Sequence, residues 1–349
     1  MRRRWRLRGV GGPALALAVA VTTGGTAAPP AIGPGAGSVG TPVTTRAAPP
    51  IRVAAAGDIA CPAPPGTGSR CRYDATADLV VGRGLDRILL LGDNQYDRGT
   101  LREYRTYFDP TWGRAFRRLA PSPGNHEYAQ DPTSRPRGYF RYFGRRARGP
   151  DGLGYYSFDL GACPDAPCWH VISLSSMLCF APGGCDAPDD PSDPGPGERM
   201  YTWLLADLEA HPNGRYRCTL AFWHHPRFSI STGSGGTTAV APLWRALYRA
   251  RVDVVLNGHS HNYQRWRPLD PAGRLDRDRG IRQFIVGTGG VNRYALAEGP
   301  WPRALAAAQD EAFGVLRLSL RARGFTWRWV SAEGEPRFHD AKRSVVPCV

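Results

Sequence analysis

The chain has 349 residues, 42% of them hydrophobic, a formal net charge of +15 and eight cysteines. That suffices for one large domain or two small ones, and the apolar run Pro13 to Val21 is too short to span a bilayer, which takes roughly 20 residues. The positive charge is arginine, since Lys342 is the only lysine. No basic helix with interleaved aromatics is present, so a specific nucleic-acid partner is disfavoured, whereas anionic substrates suit the sign of the charge.

Met1 to Arg8 carries five arginines, an apolar run follows, and small residues surround Thr26-Ala27-Ala28. This is the layout of a cleaved export signal over residues 1–28. Arg2-Arg3-Arg4-Trp5 leaves both a general and a twin-arginine route open. Residues 29–50 are Pro, Gly, Ala and Thr with almost no large apolar side chain, and read as a linker to a domain over residues 51–349. Loss of the five leading arginines brings the charge to about +10, still basic. Eight cysteines agree with a secreted or extracytoplasmic protein. Cys61 and Cys71, Cys163 and Cys168, and Cys179 and Cys185 each flank a Pro-rich loop, which leaves Cys218 and Cys348 to tie the C-terminus to a core strand. About 105 connectivities are possible in principle. The competing zinc reading lacks a Cys-x-x-Cys.

From Ile51 the chain alternates strand, polar loop and helix. Ile51 to Ala56 reads as a strand ending in Gly57-Asp58-Ile59-Ala60. Tyr73 to Val81 reads as a helix, and Arg87 to Leu91 as a buried strand ending in Gly92-Asp93-Asn94-Gln95-Tyr96. Leu101 to Phe108 and Trp112 to Leu119 read as short amphipathic helices before Pro123-Gly124-Asn125-His126-Glu127. Residues 131–150 form a basic loop, either a solvated surface or a contact for substrate phosphate. Tyr155 to Leu160 and His170 to Ser175 are predicted strands. Ala181 to Gly197 is an exposed insertion whose aspartates lack the spacing of an EF-hand.

Glu198 to Ala210 is a predicted helix, and Arg217 to Trp223 a strand ending in His224-His225-Pro226. Leu243 to Arg251 reads as a helix leading into the strand Val252 to Leu256. That strand ends in Asn257-Gly258-His259-Ser260-His261, where side chains two apart on extended backbone would reach one volume. Gln283 to Val286 is a strand before Gly287-Thr288-Gly289-Gly290. Val315 to Leu320 and Phe325 to Val330 form a closing hairpin. Alternation of this kind predicts an α/β fold with its working residues at strand ends.

Five strand ends thus carry Asp58; Asp93 with Tyr96; Asn125 with His126; His224; and His259 with His261. Alone, each has an ordinary explanation as a turn, a cap or a packed ring. Together, in this order and each after an apolar run, they are hard to assign to coincidence, and the paired imidazoles suit a metal centre with adjacent ions.

In these motifs the chain resembles the calcineurin-like metallophosphoesterases, from Asp58 through His261. Most members have Asp-x-His in the first motif, where this chain has Ala60. Purple acid phosphatases also lack that histidine and use the tyrosine of Gly-Asp-x-x-Tyr, matched by Tyr96. The catalytic domain looks like that subgroup without the N-terminal β-domain of its plant members. The resemblance implies a four-layer α/β/β/α sandwich of two mixed sheets flanked by helices. It implies that Asp58, Tyr96 and His261 hold one metal and Asn125, His224 and His259 the other, with Asp93 bridging. His126 would lie near the leaving group as general acid. His224 matches the family histidine two positions before proline, and His225 supports it or merely packs. His170, His211 and His339 fall outside the motifs and are expected to be structural.

The function expected is a secreted phosphatase hydrolysing a phosphorylated small molecule with two metal ions, Fe(III) with Zn(II), Mn(II) or Fe(II). A phosphodiesterase or nucleotide-sugar hydrolase would use the same ligands. A non-catalytic anion-binding protein is the alternative of another class.

Overall fold

Short aliphatic runs free of turn residues supply the strands, and alternation along them sets the layers. The computed structural model describes residues 49–67, 70–129, 135–161, 168–214 and 217–349. The expected export segment, nearly all of the linker, and Cys163 lie outside the described residues. The strands are β1 (Ile51–Ala56), β2 (Arg87–Leu91), β3 (Leu119–Ser122), β4 (Tyr156–Gly161), β5 (Cys168–Ser173), β6 (Arg217–Phe222) and β7 (Val254–Asn257). After them come β8 (Tyr263–Trp266), β9 (Arg282–Val286), β10 (Leu305–Gln309), β11 (Gly314–Arg321), β12 (Gly324–Ser331) and β13 (Ala341–Pro347). One sheet has the order β13-β12-β11-β1-β2-β3 and the other β10-β8-β9-β7-β6-β5-β4. Both are mixed: β1, β2 and β3 run parallel but β11 is antiparallel to β1, and β5, β6, β7 and β9 run parallel between antiparallel flanks.

Alternation divides the second sheet between two cores. Val171, Leu220, Phe222, Val254 and Leu256 join Val53, Leu89, Leu316 and Trp327 of the first sheet in one buried cluster. Ile172, Ala221, Trp223 and Val255 face the other way, onto Met200 and Leu204 of helix Pro196–Ala210 and Leu243 and Trp244 of helix Ala241–Arg249. Short helical segments flank the first sheet and contribute Tyr104, Phe108, Trp112, Tyr139 and Phe143. The result is the expected pair of mixed sheets flanked by helices.

Several expectations need correction. The helix expected over Tyr73 to Val81 ends at Ala77, and Val80 and Val81 continue only as turns before Gly82 takes a φ of +67°. Leu101 to Phe108 is one α-turn, capped by Thr100 and Glu103, followed by a π-turn. Trp112 to Arg118 is 3-10 helix, and Leu119 already begins β3. The basic loop at 131–150 contains the helix Arg137–Phe143, whose Tyr139, Phe140 and Phe143 are buried. The arginine spacing hid that apolar face. Arg146 donates to the carbonyls of Phe116, Arg117 and Leu119, a structural use of its charge. Strands β3, β8, β10 and β13 were not anticipated, the Ala-rich β10 because alanine has little strand preference.

Disulfides join Cys61 to Cys71, Cys179 to Cys185 and Cys218 to Cys348, in the expected pairs. No helix among the described residues is long and apolar enough to cross a membrane.

Candidate metal centre

All five motif loops leave the carboxyl ends of parallel strands: β1, β2 and β3 in one sheet, β6 and β7 in the other. Within each sheet the loops are stitched together, with Asp58 N–H donating to the Gly92 carbonyl at 3.1 Å and Gly258 N–H to the His224 carbonyl at 3.1 Å. Asp58, Asp93 and His259 have φ values of +60°, +47° and +67°, left-handed backbone that non-glycine residues rarely adopt. Such conformations cluster where function over-determines them. The neighbouring glycines serve mainly to leave room. A Cβ on Gly124 would collide with the Asp93 carboxylate, and one on Gly258 would sit 2.7 Å from Asp58 Oδ2.

His259 and His261 do reach one site, but not by strand alternation. β7 ends at Asn257, and the chain turns twice, with Ser260 N–H on the Gly258 carbonyl and Asn262 N–H on the Ser260 carbonyl. The two rings consequently serve opposite ends of the site.

Seven side chains converge there as two groups. At one end Tyr96 Oη lies 2.9 Å from Asp58 Oδ1, 3.0 Å from Asp93 Oδ2 and 3.1 Å from His261 Nε2. At the other, His224 Nε2 lies 3.1 Å from Asp93 Oδ2, 3.1 Å from Asn125 Oδ1 and 3.3 Å from His259 Nδ1. Asp93 Oδ2 belongs to both. Lone pairs outnumber protons in this cluster: one phenolic hydrogen faces three acceptors. The His224 Nδ1–H is already given to the Leu91 carbonyl at 2.9 Å, so a neutral His224 presents Nε2 as another lone pair. Asp58 and Asp93 are fully buried, and their ion-pair partners among the described residues are histidines only. Such a donor set fits two cations, with oxygen and imidazole ligands of the kind iron, manganese or zinc accept.

The electrostatics match. Burial opposes charge on Asp93, yet His224 beside it holds the carboxyl far below its ordinary range. Burial likewise opposes protonation of His224, but Asp93 lifts its pKa to about 9. Burial and then His224 press His259 down to about 4, leaving its ring neutral. Burial, Asp58 and Asp93 push the Tyr96 phenol well above 10, so only a strong positive charge could free its oxygen.

Around the donors stand residues that the motifs did not assign. Glu127 accepts from the backbone N–H groups of Asp93, Asn94, Gln95 and Gly124 and from Tyr104 Oη, locking two motif loops together. Its place in Gly-Asn-His-Glu was the available signal. Asn292 Oδ1 meets His261 Nδ1 at 2.5 Å, and Tyr294 stacks on the His261 ring at 4.0 Å. Only the glycine run before them hinted at a site wall. His225 is turned aside, with Nδ1 2.9 Å from Ser176 Oγ, although its ring is 4.3 Å from that of His259. His225, His224 and His259 could share an ion by spacing alone, but His225 is engaged elsewhere.

His126 is partly exposed and its Nδ1–H donates to the Asp97 carbonyl at 2.6 Å, which leaves Nε2 on the side of the centre, 3.9 Å from Asp93 Oδ2. With Tyr96 and His261 it lines a cavity of about 310 Å³. Outside the site, His170 is held between Asp159 at 2.7 Å and Asp207 at 2.9 Å and stacks on His211.

The chain is similar to known proteins in sequence and in fold. The profile of the calcineurin-like phosphoesterases matches residues 51–263. Purple acid phosphatase 21 of Arabidopsis thaliana is 28% identical over 270 residues, 71% of this chain and 52% of that one. The chain thus spans about half the length of the curated relatives it matches. In three dimensions it is similar to a purple acid phosphatase from yellow lupin (Lupinus luteus) seeds, with a TM-score of 0.60 and 14% identity over 82% of this chain and 52% of that one. It is as similar to the GAP50 anchor of the inner membrane complex of Plasmodium, with a TM-score of 0.60 and 13% identity over 84% of this chain and 89% of that one. At such identities the likeness shows the fold. With the profile spanning more than half its length, the chain belongs to the calcineurin-like phosphoesterase family.

Proposed function

We propose that the chain is a metal-dependent phosphatase that hydrolyses phosphate monoesters, of the purple acid phosphatase kind, exported from the cytoplasm. The observation that carries this is the pair of donor groups sharing Asp93 Oδ2, a convergence of oxygen and imidazole donors that two cations would satisfy. Asp58, Tyr96 and His261 would hold one ion, Asn125, His224 and His259 the other, and Asp93 both. When bound, the ions supply charge relief on the attacking and leaving oxygens. The protein's own residues do the rest. Glu127 and the Leu91 carbonyl keep ligands in place, and Asn292 holds the His261 ring with Nε2 turned inward. His126, anchored through Nδ1, would offer a proton at Nε2 to the leaving oxygen from its imidazolium form and keep a lone pair there afterwards. The adjoining cavity, lined by His126, gives the leaving group a place.

The difference between Tyr96 and the histidine common in the family at the position of Ala60 supports Fe(III) in the first site. Three disulfides support an oxidising compartment, reached through the export segment 1–28 and linker 29–50. The test is a panel of phosphate monoesters and diesters with metal-loaded protein. Turnover of monoesters that stops on chelation and returns with metal is expected. Faster diester hydrolysis would assign the same centre to a phosphodiesterase, and binding of phosphate without turnover would make it an anion-binding protein.

A further inference from the structure

The cavity beside the candidate metal centre has a wall that none of the motifs supplies. Tyr96, His126 and His261 of the candidate centre line it, together with Val291 and Tyr294. Cys61, Pro62, Arg70 and Cys71 line it as well. The Cys61–Cys71 disulfide closes this loop. Backbone bonds then fix it to the site: Cys71 N–H donates to the Val291 carbonyl at 3.3 Å, and Arg72 N–H to the Gly290 carbonyl at 2.8 Å. The disulfide and these two bonds thus anchor Cys61, Cys71 and Arg72 against the site, with Arg70 next to the anchored end.

Arg70 is exposed on that wall. Nearby Arg72 and Arg293 both reach Glu335, at 3.1 Å and 3.5 Å, while Arg70 has no carboxylate partner among the described residues. A guanidinium held unpaired beside a phosphate site is a ready partner for a carboxylate or phosphate, which it can grip through two parallel N–H bonds. Asp97 lines the same cavity, so the rim is not uniformly positive. An incoming anion must meet Arg70 directly instead of sensing a diffuse field.

We propose that Arg70, carried on the disulfide-closed loop Cys61–Cys71, receives a second anionic group on the leaving side of the substrate. The preferred substrates are then phosphomonoesters whose alcohol bears a carboxylate or another phosphate. This rests on the phosphatase reading and specifies the substrate class of the same site.

Phosphoglycerate and glycerol phosphate make a matched pair, differing by a carboxylate in place of a hydroxymethyl group. The wild-type enzyme should prefer phosphoglycerate, and Arg70→Ala should cut the ratio of the two kcat/KM values by about tenfold, chiefly through the KM for phosphoglycerate. Arg70→Lys should restore only part of the preference. Calorimetry with phosphonopropionate against propylphosphonate reads binding without turnover and should show the same Arg70-dependent preference. Equal losses on both esters in Arg70→Ala, or a preference for phosphonopropionate that survives it, would overturn the assignment. Hydrolysis of neither ester, with phosphonopropionate still bound more tightly through Arg70, would keep the subsite and remove the phosphatase reading.

Discussion

The Oδ1 of Asn292 meets Nδ1 of His261 at 2.5 Å, and so decides which nitrogen of that ring looks into the metal centre. With Nδ1–H donated to the amide oxygen, Nε2 keeps its lone pair toward Asp58 and Tyr96, at 3.2 Å and 3.1 Å. Partners that orient a ligating histidine in this way typically matter by about 10–100-fold. Asn292→Ala should therefore lower metal affinity or kcat/KM by roughly that factor, with the fold intact by circular dichroism. Metal content after dialysis checks it directly. Asn292→Asp should retain far more of both, because a carboxylate accepts the same bond.

His259→Ala and Asn125→Ala each remove a donor from the group around His224, and turnover should fall by more than that factor with little change in melting temperature. His225→Ala should be much milder, since His225 spends its Nδ1 on Ser176. If His225→Ala loses metal while His224→Ala keeps it, the two histidines have been assigned the wrong way round.

Tyr96 gives a spectroscopic test. Burial and two carboxylates raise its pKa well above 10, so neutral-pH ionisation demands a strongly acidic ion. Fe(III) meets that demand better than Zn(II) or Mn(II), and a tyrosinate bound to it absorbs visible light. Iron-loaded protein should be coloured, and Tyr96→Phe should lose the band. Stoichiometric iron without a visible band would mean that Tyr96 only packs.

Peptide mapping without reductant should recover Cys61–Cys71, Cys179–Cys185 and Cys218–Cys348. The last closes the longest loop, a sequence separation of 130, so its removal should destabilise most, by about 4–5 kcal/mol on chain entropy. Thermal unfolding of Cys348→Ser against Cys185→Ser compares the two.

His170 predicts a pH dependence of stability. Burial resists its charge, but the hydrogen bonds its ring donates to Asp207 and Asp159 prevail and raise its pKa above 6.5. A raised folded-state pKa means stabilisation fully present below 6.5 and lost as pH climbs through the higher folded value. The melting-temperature difference between wild type and His170→Gln should therefore shrink as pH rises over that interval. A difference independent of pH would show that folding leaves the pKa unchanged, and one that grows as pH rises would show that the ring is held neutral.

The motifs of this chain were legible because each is local. A strand end, a glycine and a donor lie within a few residues, and Asp58, Asp93, Tyr96, Asn125, His126, His224, His259 and His261 could be read from that pattern together with the family it resembles. The α/β class followed from the alternation of apolar runs and polar ends, and the pair of mixed sheets from the family resemblance. What only the tertiary structure decided are relations between distant segments. Asn292 reaches His261, and Arg70 comes to face the site because a disulfide and two backbone bonds fold its loop onto Val291 and Gly290. Left-handed backbone at Asp58, Asp93 and His259 was equally invisible, because residue type alone favours it only at glycine. Strands β8, β10 and β13 went unseen for the same reason: their pairing with neighbours stabilises them, not their own composition.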